Sequence, residues 1–206
     1  QFVDVAMLDT VIPTLSTVMG AYYFGDKTVP TRHGSKHPAL SMAPYNVYGA
    51  RDGYVAIICI NEKHWLSMAA AMGREDLLGD PRYASMRERA AIMEELDAQV
   101  TVWTSVRTRA EVLSVLQSAG VPSASVRDVE EVLADEHLHE RGMLHEVEHP
   151  AWGEMTLMNS PLNVALGNKV APVPAPELGG ANRDVYGGIL GIPESDLVVL
   201  KDEGVI

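Results

Sequence analysis

Arg32-His-Gly-Ser-Lys-His-Pro38, followed by Pro44-Tyr45 and then by Arg51-Asp-Gly-Tyr-Val-Ala-Ile-Ile-Cys-Ile60, is the stretch whose reading decides the fold. Its order is loop, turn, strand, helix. Residues 32 to 44 carry no helical or alternating period, yet they gather arginine, lysine, two histidines, glycine and serine beside two prolines, the composition of a loop that lines a site. Asp52-Gly53 is a tight-turn pair, and the apolar run behind it predicts a buried strand over 54–60. Asn61 ends that run, and its side-chain oxygen can accept from the first free amides of a helix opening at Glu62. A polar loop and a strand-to-helix junction therefore lie close together in the chain.

Working outward, Asp4 is a cap for a helix in which Val5, Leu8, Ile12 and Leu15 recur at helical spacing, bent at Pro13 and ending near Gly20. Residues 25 to 50 read as a connection. Trp65, Leu66, Ala69 and Met72 share one helical face that stops at Gly73. Ser85-Met-Arg-Glu88 is a capping-box sequence, and Met86, Ala90, Met93, Leu96, Val100 and Trp103 continue as one long amphipathic helix. Thr108 to Glu111 opens another helix closed by Gly120, a strand over 121–126 follows, and Asp128 to Glu131 starts a short helix. Leu144, Val147, Met155 and Leu157 flank Pro-Ala-Trp-Gly as a hairpin. Pro161 and Ala171-Pro-Val-Pro-Ala-Pro176 then make an extended segment, after which Asn182 caps a short helix and Pro193-Glu-Ser-Asp starts the last one.

The chain has 206 residues, 47% of them hydrophobic, enough for a sizeable core in one domain or two small ones. A formal charge of -12 argues against a nucleic-acid surface, which needs a basic stripe to neutralise phosphates. The lone cysteine, Cys59, has no partner for an internal disulfide, which favours a reducing compartment and a cytoplasmic location. No apolar run has the length to cross a bilayer, so no membrane role is expected.

The loop-to-strand stretch resembles the class III CoA-transferase family, which includes carnitine dehydratase-like proteins, formyl-CoA transferase and alpha-methylacyl-CoA racemases. Three further passages agree in order. Gln1-Phe-Val-Asp-Val-Ala-Met-Leu-Asp9 is similar to the segment that opens a long helix after the family's catalytic region. Asp135-Glu-His-Leu-His-Glu-Arg-Gly142, with His149-Pro150 and Gly153 beyond it, is similar to the family's Asp-x-His-x-x-x-Arg-Gly passage. The tail from Leu178-Gly-Gly-Ala-Asn-Arg-Asp184 through Ile189-Leu-Gly191 to Gly204-Val-Ile206 resembles the family's usual ending.

The resemblance implies an α/β fold: a small α/β domain, and carboxy-terminal elements returning to a Rossmann-like large domain, with two chains interlocked as a homodimer. On that frame residues 1–31 are a helix and connection of the large domain, 32–142 the small domain, and 143–206 the hairpin, proline-rich linker and returning helices. Family transferases attack an acyl-CoA thioester with an aspartate lying upstream of the segment Gln1 begins. The chain thus reads as a carboxy-terminal portion with no catalytic residue of its own, inactive alone, and needing an amino-terminal half or subunit. Coenzyme A enters as a substrate and no cofactor is held permanently; the other substrates are an acyl-CoA and a carboxylic acid.

The same resemblance makes Arg32, His33, Gly34, His37 and Ser41 lining residues of the active site, places Asn61 and Glu62 where the family's racemases carry a glutamate, and sets Met7 near the CoA adenine, where a thioether suits an aromatic ring. Each position also has a plainer reading: solvent for the loop cations, helix packing for Met7, capping for Asn61. The loop holds one glycine where some relatives have several. His137, His139, His145 and His149 lack a metal-binding spacing, so no metal is expected. Two other functions stay open: a racemase that exchanges an alpha proton, and a non-catalytic module for dimerisation or acyl-CoA binding.

Overall fold

The turn foreseen at Asp52-Gly53 launches the strand expected after it and also joins that strand to one before it, which the sequence reading took for connection. The computed structural model describes residues 4–25, 27, 32–161 and 170–206, so Gln1 to Val3 of the first matched passage and residues 162–169 of the proline-rich linker lie outside the described residues. In chain order the elements are α1 (Met7–Val11), a 3₁₀ turn (Ile12–Leu15), α2 (Ser16–Phe24), β1 (Tyr45–Ala50), β2 (Gly53–Ile58) and α3 (Glu62–Ala71). Two 3₁₀ turns (Glu75–Gly79 and Pro81–Tyr83) lead to α4 (Met86–Ala91), α5 (Met93–Ser105), α6 (Arg109–Ser118) and β3 (Ser123–Ser125). Then come α7 (Val129–Leu133), α8 (Glu136–Glu140), β4 (Leu144–His149), β5 (Gly153–Met158), a π-helical turn (Arg183–Ile189) and α9 (Glu194–Asp202). The chain divides into two compact units, 1–127 and 128–206.

In the first unit β1, β2 and β3 form an antiparallel sheet in that order, with Tyr45 opposite Ile58, Ala50 opposite Gly53, and Val55 opposite Ser125. Gly53 takes φ +142°, and a Cβ there would meet the Arg109 side chain at 3.1 Å, so the hairpin turn requires glycine. β1 escapes a sequence reading because its alternation is masked: polar Asn46 and backbone-only Gly49 sit beside the buried Tyr48. Helix α5 lies against β1, where the Thr104 hydroxyl donates to the Gly49 carbonyl at 2.7 Å. Tyr48, Val55, Ile57, Trp65, Met68, Leu96, Val100, Val112 and Leu116 make the core.

Several local expectations change. The first helix starts at Met7 with Ala6 at its cap and no side-chain bond, so Asp4 does not cap it. Pro13 falls in a 3₁₀ turn between α1 and α2, since it has no amide hydrogen for the helical ladder. The predicted helix over 86–103 is two, because Ile92 leaves helical geometry at φ −115°, ψ 29°. Leu66 is exposed and Met68 completes the inner face of α3. The reciprocal capping boxes at Thr108–Glu111 and Asp128–Glu131 form as read, whereas Ser85 accepts from Glu88 without the return bond. Asn182 is already helical and makes no side-chain cap.

In the second unit β4 and β5 pair as the antiparallel hairpin, His149 opposite Gly153. Arg183 pairs with Glu194, Leu197 is buried, and α9 ends before Gly204. Among the described residues no helix is long and apolar enough to cross a membrane. Elsewhere apolar side chains face outward: Met7, Leu8, Tyr23 and Phe24 on α1 and α2, and Leu178, Ile189 and Val205 in the tail.

Leu116, fully buried on α6, gives the stability scale of this core. Leu116→Ala is expected to lower the unfolding free energy by about 2–5 kcal/mol, checked by urea titration of wild type and variant side by side.

Candidate active site

Residues 32–44 lie over the start of β1, and each polar group has a defined partner or a defined exposure. Arg32, Gly34, Ser35 and Ser41 are exposed, while His33, Lys36 and His37 are half-buried. Nδ1 of His33 donates to the Lys36 carbonyl at 3.0 Å; a carbonyl only accepts, so that nitrogen carries the hydrogen. His37 has the opposite tautomer. Its Nδ1 accepts from the Ala39 amide at 3.3 Å and faces the Ser41 hydroxyl at 3.4 Å, leaving the hydrogen on Nε2. Burial, and then the charge of His33, push the His37 pKa down, so its ring is a neutral donor at Nε2. The His37 ring also meets Tyr45 edge-on, centroids 5.1 Å apart. Gly34 and Leu40 both adopt positive φ, at +61° and +49°, the bends that fold the loop back on itself.

Two links hold this loop down. Ser35 Oγ donates to Asn46 Oδ1 at 2.5 Å, Asn46 Nδ2 donates to Asp97 Oδ2 at 2.7 Å, and the Tyr48 hydroxyl donates to Asp97 Oδ1 at 2.6 Å. The Tyr48 pKa is raised, by burial first and then by the Asp97 charge, which keeps the phenol a donor. At the other end, the fully buried Arg89 donates from Nε to the Ala43 carbonyl at 3.2 Å and from Nη1 to the Tyr83 carbonyl at 2.9 Å. Its remaining donors grip the Glu62 carboxylate at 2.8 and 3.0 Å, and its plane sits 5.2 Å from the Trp65 ring centre. The Ala43-Pro44 peptide is cis. Lys36 also pairs with Glu94, but Glu94 is 87% exposed, and such pairs contribute ~0–1 kcal/mol.

The structure thus brings His33, Gly34, His37 and Ser41 into one folded loop, and gives Asn61 and Glu62 specific partners. Asn61 Oδ1 accepts from the His64 amide at 2.9 Å, the capping bond. Glu62 Oε1 also accepts from the Met86 amide at 3.0 Å. Met7 stands 87% exposed on α1. Sequence reading missed Arg89 and Asp97. Both nevertheless left a signal, because 86, 89, 93, 97 and 100 follow three- and four-residue steps, which puts two charges on an apolar stripe. The histidines of the second unit go to separate partners: His139 to the Leu133 carbonyl, His145 to Gly142 and Asn159, and His149 against Trp152. Among the described residues of the second unit, a surface depression of about 940 Å³ is lined by Leu178, Asn182, Arg183, Leu197 and Lys201.

Chemically the loop offers hydrogen-bond donors: an imidazole N–H, a hydroxyl, exposed backbone and an arginine. It contains no aspartate or glutamate, and Glu62 at the start of α3 is paired with Arg89. Such a set can steady a developing oxyanion supplied by groups outside it.

The sequence profile of CoA-transferase family III matches residues 1–182. The chain belongs to CoA-transferase family III. It is 34% identical over 165 residues to a succinyl-CoA:mesaconate CoA-transferase of Haloarcula marismortui, covering 80% of this chain and 40% of that enzyme. It is 28% identical over 207 residues to a succinyl-CoA–D-citramalate CoA-transferase of Chloroflexus aurantiacus, covering all of this chain and 51% of that one. The crystal structure of a CAIB/BAIF family protein from Brucella suis superposes with a TM-score of 0.72 at 25% identity, over 92% of this chain and 48% of that one. The chain therefore spans about half the length of the curated relatives it matches, and the mixed α/β arrangement with small sheets is that of the CAIB/BAIF fold.

The Arg89–Glu62 contact makes a pH prediction. Hydrogen bonds from Arg89 first, with its charge and the Met86 amide, hold the Glu62 carboxyl below its usual range against the opposing cost of burial. A carboxyl with a lowered folded-state pKa adds stability above its unfolded pKa and loses it as pH falls through the folded value. The wild type should therefore exceed Glu62→Gln in stability at neutral pH, with the gap closing as pH falls below the ordinary carboxyl range, read from urea midpoints at neutral and acid pH.

Proposed function

We propose that this chain is the carboxy-terminal part of a CoA-transferase that moves CoA from an acyl-CoA donor to a carboxylic acid. The observation that carries this reading is the family match over residues 1–182, joined to a donor-rich loop without a carboxylate of its own. The nucleophile is an aspartate in sequence preceding Gln1. Its carboxylate attacks the thioester carbonyl and CoA thiolate leaves, giving a mixed anhydride; the thiolate then attacks the aspartyl carbonyl, releasing the donor acid and leaving an enzyme-bound CoA thioester. The acceptor carboxylate repeats the two steps in reverse and departs as its CoA thioester. Each attack creates an oxyanion, for which Gly34 backbone, His37 Nε2 and Ser41 are suitable donors, and Arg32 supplies positive charge toward the acid while His33 lines the same loop.

Both relatives named above carry a dicarboxylic acyl donor and a dicarboxylic acceptor in their names, so the acceptor proposed here is a small di-acid. Residues 32–142 act as the small domain, while 1–31 and 143–206 join a Rossmann-like large domain within an interlocked cytoplasmic homodimer. The outward apolar faces of α1, α2 and the tail support that assembly, since burying apolar surface is favourable by ~25 cal/mol per Å². Met7 on α1 is placed toward the CoA adenine. No permanently bound cofactor is needed. The commitment of Glu62 to Arg89 weighs against its use as a racemase base.

Hydroxylamine added to the whole protein during turnover with succinyl-CoA is expected to inactivate it and leave an aspartyl hydroxamate detectable by peptide mass. Residues 1–206 alone should transfer no CoA. Deuterium entering the alpha carbon of a branched acyl-CoA, without any trapped adduct, would replace the transferase with a racemase.

A further inference from the structure

Among the described residues of the first unit, two charged side chains are buried, Arg89 and Asp97, and both are linked to the same loop, Arg89 directly at the Ala43 carbonyl and Asp97 by way of Asn46 on β1. Burying a charge costs several kcal/mol, and a well-packed apolar replacement is often neutral or stabilising. Core stability therefore gives little reason for two charges on the apolar stripe of α4 and α5. What they hold gives a better one. Asp97 reaches Ser35 through Asn46, near the amino-terminal end of the loop, and Arg89 reaches the Ala43 carbonyl at its carboxy-terminal end. Between those anchors lie Gly34, His37 and Ser41, with backbone bends at Gly34 and Leu40.

We propose that Asp97 (through Asn46) and Arg89 are positioning residues that clamp the two ends of the 32–44 loop in the conformation CoA transfer requires. The inference rests on the role given to that loop above. Its physical content is pre-organisation: donors already aimed when the oxyanion forms need no rearrangement at that moment. Both charges are buried, away from the exposed donors of the loop. Each acts through one intermediary, Asn46 or the Ala43 carbonyl. Because Ser35 is exposed and Asn46 half-buried, the amino-terminal link can be cut without removing a core charge.

The test uses the whole protein in six variants: Asn46→Ala and Ser35→Ala, which cut the link; Ser35→Thr, which keeps a hydroxyl; Arg89→Lys, which keeps charge but loses the forked grip; Leu116→Ala, a destabilised control on α6 that makes neither link; and His37→Ala, which removes a loop donor. Amide exchange over 33–42 and the kinetics of succinyl-CoA transfer are measured well below the melting temperature. Asn46→Ala, Ser35→Ala and Arg89→Lys are expected to raise exchange in that segment and lower kcat by about tenfold, with KM for the donor little changed. Ser35→Thr should recover most of the turnover, and Leu116→Ala should lower stability without either effect. Unchanged loop exchange in the cut variants overturns the clamp. Raised exchange with undiminished kcat overturns its catalytic use; if His37→Ala also turns over normally, the loop's assigned role has failed as well, whereas a slow His37→Ala leaves that role standing.

Discussion

A guanidinium with no exposed surface, that of Arg89, ties together segments of the first unit that are far apart in sequence. It grips Glu62 at the first turn of α3, the Tyr83 carbonyl before α4 and the Ala43 carbonyl before β1, while lying over Trp65. Only arginine has the planar fork for this, with separate donors for a carboxylate and for two carbonyls. Trp65 stacks on Tyr83, ring centres 6.0 Å apart, so the cation is closed in by aromatic surface and by its own partners. The position of the loop root, the start of the sheet and the start of α3 all follow from this one buried group.

The sheet supplies the second constraint. β1 and β2 are joined by a turn that needs glycine at 53, and their register brings Asn46 and Tyr48 to Asp97 on α5. The buried phenol and carboxylate satisfy each other, which is how a charge is tolerated beneath a strand. A loop rich in cations in a chain of net charge -12 is thereby anchored on buried polar groups, with its exposed donors left for other partners.

Much of the secondary structure was legible, because caps and breakers act locally. The boxes at Thr108 and Asp128, the cap at Asn61, the stop at Gly73 and the hairpin over 144–158 all depend on neighbours within a few residues. The misreadings came where tertiary contacts outweighed local pattern. β1 looked like loop because Asn46 serves a distant carboxylate, and the helix over 86–103 broke at Ile92 although its apolar spacing runs through. At the site, the loop composition pointed to function and Glu62 was picked out, but its partner was invisible: a contact spanning 27 positions has no local signature.

The order of residues by itself determined the family, the helix ends and the polar character of the loop, since these rest on short-range chemistry and on passages that recur in order along the chain. Only the tertiary structure decided where the charges of the apolar stripe go, which tautomers His33 and His37 hold, and that Glu62 is committed to Arg89. The charge placements turn on burial and on partners 27 to 51 positions away, and the two tautomers on how the loop folds back over neighbours two to four positions on; neither set of hydrogen bonds exists until the backbone has closed around it.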